Sequence, residues 1–175
     1  QYMIIRPKEG WEDEASKYRR ITLDTDDVET VKAECAHVQR ISPFLFIEKA
    51  EVSYGLEKVK EVPVRGVSED YQVIRNYYAD SGRFFGPIDV EGAAKVIVLG
   101  RSVLKQMQCD ESIVGQYVQM FGERFLVTGL LEAKGSLMGN DQDMTVMIPY
   151  TAAMRLDPNL RETIRFLAEA ADEAS

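Results

Sequence analysis

His37 is the only histidine of the chain, so any Ser–His–Asp or Cys–His device would have to use it. Cys35 lies two residues before it. On the helix predicted there, residues two apart point to different faces, which argues against a Cys35–His37 dyad. One histidine and two widely separated cysteines, Cys35 and Cys109, give no zinc site of ordinary ligand spacing. Nor do they form a disulfide framework. Whether the two are bridged depends on geometry. Cys35 falls on an apolar helical stripe and reads as a buried free thiol.

Asp141 and Asp143 are the most tempting carboxylates, because they follow Gly139 and Asn140 in a loop, and loops carry function. An oxygen-ligated Ca²⁺ site needs about six to eight ligands and, in its EF-hand form, a terminal Glu. Neither is present, and Asp and Asn are ordinary turn formers. Asp24, Asp26 and Asp27 suit a helix N-terminus, where the macrodipole favours negative charge. The strand-like Val96-Ile97-Val98-Leu99 ends at Gly100, as the first turn of a dinucleotide fold does. The next glycine is Gly115, so the phosphate cradle is missing. A helix start packed on a strand is the simpler reading. There is no P-loop. No residue is assigned to catalysis, cofactor binding or a metal. In Gly82-Arg83-Phe84-Phe85, Gly82 suits a turn, Arg83 a carboxylate partner, and the two Phe the core. Phe121, Phe125, Val127 and Leu130 also read as core. Leu137 and Met138, at a glycine-flanked loop tip, are the candidate contact for a partner.

The elements that must position these residues are mixed. Gln1–Arg6 is β-like and stopped by Pro7. Asp26 with Glu29 has capping-box spacing, and Val28, Val31, Cys35 and Val38 recur at helical period. From Phe44 the pattern is β: Phe44, Phe46, Val52 and Tyr54, then a hairpin connection at Gly55–Lys58 into Val59–Val67. Pro63 there marks an edge strand or a bulge. Ser68 is placed to cap a short helix through Tyr71–Ile74. Lys95–Leu99 is a strand and Ser102–Met107 a short helix. Gln116–Phe121 and Arg124–Leu131 flank a turn at Gly122-Glu123. Lys134–Asp143 reads as a loop, Thr145–Ile148 as a strand and Thr151–Leu156 as one or two helical turns. In the last segment Leu160, Ile164 and Leu167 support helix. No internal repeat is present. Helices separated by hairpins make the class α+β.

The chain has 175 residues, 45% of them hydrophobic, and a net charge of -8. That length suits one domain or two small ones. The acidic balance argues against nucleic acid and against a polybasic membrane-surface module. No run approaches the roughly 18 apolar residues of a membrane span. Gln1 is no initiator methionine, and both ends read as cut.

One order of blocks stands out: Leu23–Pro43, Val64–Val67 (V-x-G-V), Gly82–Phe85 (GRFF), Val96–Gly100 (VxVLG), a VG-x-x-V hairpin from Val114, and DQD-x-x-x-x-IP from Asp141 to Pro149. In order and spacing it resembles the MacB-like periplasmic core domain of FtsX-like ABC transporter permeases. The resemblance covers most of the chain. It implies a two-lobed α+β extracytoplasmic domain. Residues 1–50 and 160–175 would form a porter-like lobe, incomplete at its C-terminus, and 51–159 an inserted, mainly-β sabre-like lobe. It also implies a strand within Arg161–Ala168.

The function so implied is not enzymatic. Such domains transmit motion from cytoplasmic ATP hydrolysis and dock partners for export of a substrate from the periplasm. ATP and Mg would sit in a separate nucleotide-binding domain. The partners would be the chain's own membrane helices and that domain, in a dimeric transporter. In a two-membrane cell a periplasmic adaptor and an outer-membrane channel would join them. The isolated fragment is expected to be monomeric. The alternatives within the resemblance are an FtsX-like module that activates a cell-wall hydrolase and a lipoprotein-releasing permease ectodomain.

Overall fold

A computed structural model describes residues 2–5, 30, 33 and 38–170. The helix predicted from Asp26 lies outside the described residues except for Thr30 and Ala33, which are helical. Cys35, His37 and the aspartates at 24, 26 and 27 also lie outside them.

The strands are β1 (Tyr2–Ile5), β2 (Val38–Tyr54), β3 (Glu57–Val67), β4 (Ala79–Gly82), β5 (Val96–Leu99), β6 (Tyr117–Met120), β7 (Glu123–Leu131), β8 (Ser136–Leu137), β9 (Asn140–Asp141), β10 (Val146–Pro149) and β11 (Arg165–Ala170). The helices are α1 (Tyr71–Ile74), α2 (Pro87–Glu91), α3 (Arg101–Gln106) and α4 (Tyr150–Leu156). Among the described residues nine strands form one mixed sheet, ordered β1-β11-β2-β3-β10-β5-β7-β4, with β6 bridging β2 and β7. The fold is therefore mixed α/β and rich in sheet. Strands β8 and β9 form a separate hairpin.

Residues alternate between the two faces of the sheet, and both faces are buried. Ile97, Leu99, Val146 and Ile148 join one core with Val103, Leu104 and Met107. Val96, Val98 and Met147 join the other with Tyr71, Phe85 and Val90. Two-sided burial is why β5 and β10 read as continuous apolar runs. Strand β5 runs parallel to β7, and β10 parallel to β3. Helix α4 crosses β3 so closely that a Cβ on Gly66 would lie 3.0 Å from the Ala153 Cβ and 3.2 Å from the Tyr150 Cα. The V-x-G-V block is thus a packing device.

Several expectations need correction. Val38 opens β2 and is not part of a helix, since β2 pairs there with β11. The strand carrying Pro63 is internal to the sheet. The bulge alternative is the one that applies, with a register shift between Ile47 and Ala50 opposite it and a second between Ala50 and Val52. Ser68 does not cap α1 with its side chain: its backbone carbonyl accepts from the Tyr71 N–H at 3.2 Å, and its hydroxyl is buried without a partner. The β6–β7 turn is Phe121-Gly122, one residue earlier than predicted, because Met120 pairs with Glu123. Phe121 is therefore at a turn and 44% exposed, not core, whereas Phe125, Val127 and Leu130 are buried. The loop at 134–143 contains the β8–β9 hairpin. The final segment is strand β11, as the resemblance implies, and not the helix that Leu160, Ile164 and Leu167 support, with a 3-10 turn at Pro158–Thr163 before it.

Candidate functional site

The β8–β9 hairpin carries the predicted partner contact. Leu137 pairs with Asn140, leaving Met138-Gly139 as a two-residue turn. Both turn residues have positive φ, +49° and +79°, the type I′ pattern that suits the twist of flanking strands. Leu137 is 59% exposed and Met138 95%.

The base of the hairpin is tightly fixed, and the two aspartates do the fixing. The buried Asp143 carboxylate accepts from the backbone N–H groups of Lys134 (2.7 Å) and Gly135 (2.9 Å). The Asp143 N–H donates to Asp141 Oδ1 at 2.8 Å. A hydrogen bond from the Ser102 side chain, helped by the N–H groups of Asp143 and Met144, holds the Asp141 carboxyl below the usual carboxylate range. These acids therefore do turn chemistry, as the sequence predicts. Among the described residues no group of three or more His, Cys, Asp or Glu could hold a metal ion.

Gly100 completes the base. It precedes α3, and its N–H donates to the Thr145 carbonyl at 2.9 Å. A Cβ at this position would lie 2.1 Å from the Asp143 carbonyl oxygen and 2.8 Å from that of Thr145. Glycine here permits backbone against backbone, not backbone against pyrophosphate. Arg101, next in sequence, ties the surrounding elements together. Its Nε donates to the Leu131 carbonyl at 3.0 Å, and its guanidinium pairs with Asp80 and, at 3.3 Å, with Glu111.

Other predicted residues are placed as follows. Arg83 pairs with Asp89 at 2.8 Å, and Phe84 and Phe85 are core. The Arg83 guanidinium holds the Asp89 carboxyl below the ordinary range. Cys109 is a free, partly buried thiol donating to the Met107 carbonyl at 3.2 Å. Burial raises its pKa.

One cluster was missed. Phe44 and Phe46 of β2, Arg65 of β3, Arg165 and Leu167 of β11, and Tyr71 and Arg75 at α1 line a pocket of about 170 Å³. Register builds it: Phe46 lies opposite Arg65, and Phe44 opposite Arg165. The Phe44 ring stacks on Phe46 (6.4 Å between centroids) and on Tyr71 (6.0 Å). The only sequence signal was alternation of Phe with Arg-bearing strands, and pairing across 100 positions is not visible in a single chain.

No helix among the described residues is long and apolar enough to cross a membrane. The periplasmic region of MacB from Actinobacillus actinomycetemcomitans superposes with a TM-score of 0.75 at 20% identity, covering 99% of this chain and 76% of that one. The extracellular domain of the noncanonic ABC-type transporter YknZ from Gram-positive bacteria gives 0.72 at 13% identity, covering 93% and 80%. The family of the MacB-like periplasmic core domain matches residues 1–175, and the chain belongs to that family. A macrolide export ATP-binding/permease protein MacB of Bdellovibrio bacteriovorus is 29% identical over 135 residues, 77% of this chain and 20% of that protein. The pyoverdine export ATP-binding/permease protein PvdT of Pseudomonas putida is 35% identical over 136 residues, 77% of this chain and 20% of that protein. The chain spans about a fifth of the length of the curated relatives it matches.

Proposed function

We propose that this chain is the extracytoplasmic, non-enzymatic part of an inner-membrane ABC transporter permease. It transmits motion from ATP hydrolysis and docks a partner protein for export of a substrate from the periplasm. ATP and Mg are bound by a separate nucleotide-binding domain. The family match carries the reading. The topology supports it mechanically. Strand β1 pairs antiparallel with β11, with Tyr2 opposite Glu169, so membrane helices on either side of this stretch would pull on one edge of the sheet. The β8–β9 tip emerges between β7 and β10, several strands away. A continuous hydrogen-bonded sheet runs from that edge to β10 and β7, the strands that flank the separate β8–β9 hairpin in sequence, as a lever requires.

The division into a porter-like lobe (1–50 and 160–175) and an inserted sabre-like lobe (51–159) belongs to the same proposal. Its support is that β1, β11 and the first part of β2 pair with one another. Strand β2 takes β6 as neighbour only from Val52, beyond the bulges. In a two-membrane cell the docked partner is a periplasmic adaptor that leads to an outer-membrane channel. The isolated domain is monomeric, the dimer being held by membrane helices and nucleotide domains.

The test is made in the whole transporter. Deleting the reading frame should abolish ATP-dependent export of its substrate; unchanged export would overturn the transporter reading. The double substitution Leu137→Asp with Met138→Asp should leave membrane level and ATP hydrolysis intact and lower export about tenfold, as loss of an interface hot spot does. Full export in that variant would overturn docking through the tip.

A further inference from the structure

We propose that the arginine-lined pocket over β11, β2 and β3 is a binding site for a small planar carboxylate, an acid group carried on a flat apolar ring. The inference is independent of the transport reading. In a chain whose acids outnumber its bases 29 to 21, three arginines from three separate elements converge on one pocket. Among the described residues none of those lining it is acidic. Like charges gathered in one place set up a positive potential that favours an anion. Arginine is also the side chain whose fork matches a carboxylate in two parallel hydrogen bonds.

The walls define the rest of the ligand. Phe44, Phe46 and Tyr71 present rings within 18° of parallel where they stack. They form flat apolar surfaces suited to a slab-shaped group. A volume of about 170 Å³ is close to the roughly 150 Å³ cavity that admits one benzene ring. It is smaller than the roughly 300 Å³ lower limit of drug-sized sites. The site is partly prepared. The Tyr77 ring lies 5.3 Å from the Arg65 guanidinium carbon. Arg65 Nη1 is nevertheless buried with no partner. Arg65 is thus a fixed cation deep in the pocket, and the exposed Arg165 stands at its rim.

The experiment titrates the full chain with benzoate, benzamide and inorganic phosphate, following backbone amide resonances of Phe44, Phe46 and Arg165. Benzoate should bind saturably with a Kd of about 1 mM, a reasonable value for so small a ligand, and more weakly as salt is raised. Benzamide, the same shape without the charge, should not saturate. Arg165→Gln should weaken benzoate about tenfold, and Arg165→Lys should restore part of the loss. An unchanged amide spectrum elsewhere would show that each variant is folded. Equal binding of benzamide, or no saturable benzoate shift up to about 20 mM, would overturn the proposal. Phosphate binding as tightly as benzoate at the same residues would overturn the planar ligand and leave a general anion site.

Discussion

Two hairpin turns of this molecule share one backbone solution and use it differently. Phe121-Gly122 joins β6 to β7, and Met138-Gly139 joins β8 to β9. All four residues have positive φ, +54° and +74° in the first and +49° and +79° in the second. A large L-residue in the left-handed region costs roughly 1–2 kcal/mol, and Asn or Asp is the usual choice at that position. Phe121 recovers part of that cost within the chain. It is half covered and lines a cavity of about 390 Å³ with Ile47, Leu156 and Leu160. Met138 is 95% exposed, so almost none of its surface is buried in return. Strain uncompensated within a chain belongs with function elsewhere. The second turn is the one that carries the proposed docking contact.

The largest effect should come from loosening the base that aims the Met138 tip. In Gly100→Ala the new Cβ would lie 2.1 Å from the Asp143 carbonyl oxygen and 2.8 Å from that of Thr145. Both obstacles are backbone, so neither can swing aside. The expected cost is about 3 kcal/mol, the upper end for overpacking, read as a lower urea midpoint. A midpoint within error of the wild type would show that the base yields, and that the tip is not rigidly aimed.

A smaller effect separates the turns directly. Met138→Asn puts a residue tolerant of the left-handed region where Met is strained, and should stabilise by about 1 kcal/mol. Phe121→Asn relieves the same strain but strips the cavity wall, so its gain should be cancelled or reversed. Urea denaturation of the two variants measures the difference. Equal gains would mean that Phe121's contacts are worth nothing and that the contrast between the turns is false. In the whole transporter, Met138→Asn should lower export although the domain is more stable.

What was legible in the sequence follows from where the physics is local. Val96–Leu99 and Val146–Pro149 were readable because burial on both faces leaves unbroken apolar runs. The β6–β7 hairpin was readable from Gly122. Its register was misread by one because the other left-handed residue is Phe121, a type that carries no turn signal. Residues Val38–Pro43 did not read as strand because their partner, β11, lies more than 120 positions away. The arginine pocket was hidden for the same reason: Arg65 and Arg165 become neighbours only through β2. The Leu137–Met138 tip was legible because two apolar residues between glycines are visible without knowing the fold. Its rigid base was not, since nothing local says that Gly100 meets Asp143.

The smallest effect concerns acid, and it too distinguishes the hairpins. Asp141 accepts from the Ser102 side chain and the Asp143 N–H, and its carboxyl is held below the ordinary range. A folded-state pKa below the unfolded one means that this stabilisation is complete above the unfolded value of about 3.9. It is lost as pH falls through the lower, folded value. In the β6–β7 hairpin the neighbouring carboxylate, Glu123, instead pairs on the surface with Lys95 at 2.5 Å. Such exposed pairs contribute little. Asp141→Asn should therefore lower the urea midpoint at pH 7, and the gap to the wild type should narrow at pH 3, where the wild-type carboxylate is also becoming neutral. Glu123→Gln should move the urea midpoint little at pH 7. A gap for Asp141→Asn that stays constant from pH 7 to pH 3 would show that charge is not what Asp141 contributes. The hairpin base would then rest on Asp143 and the Gly100 contact.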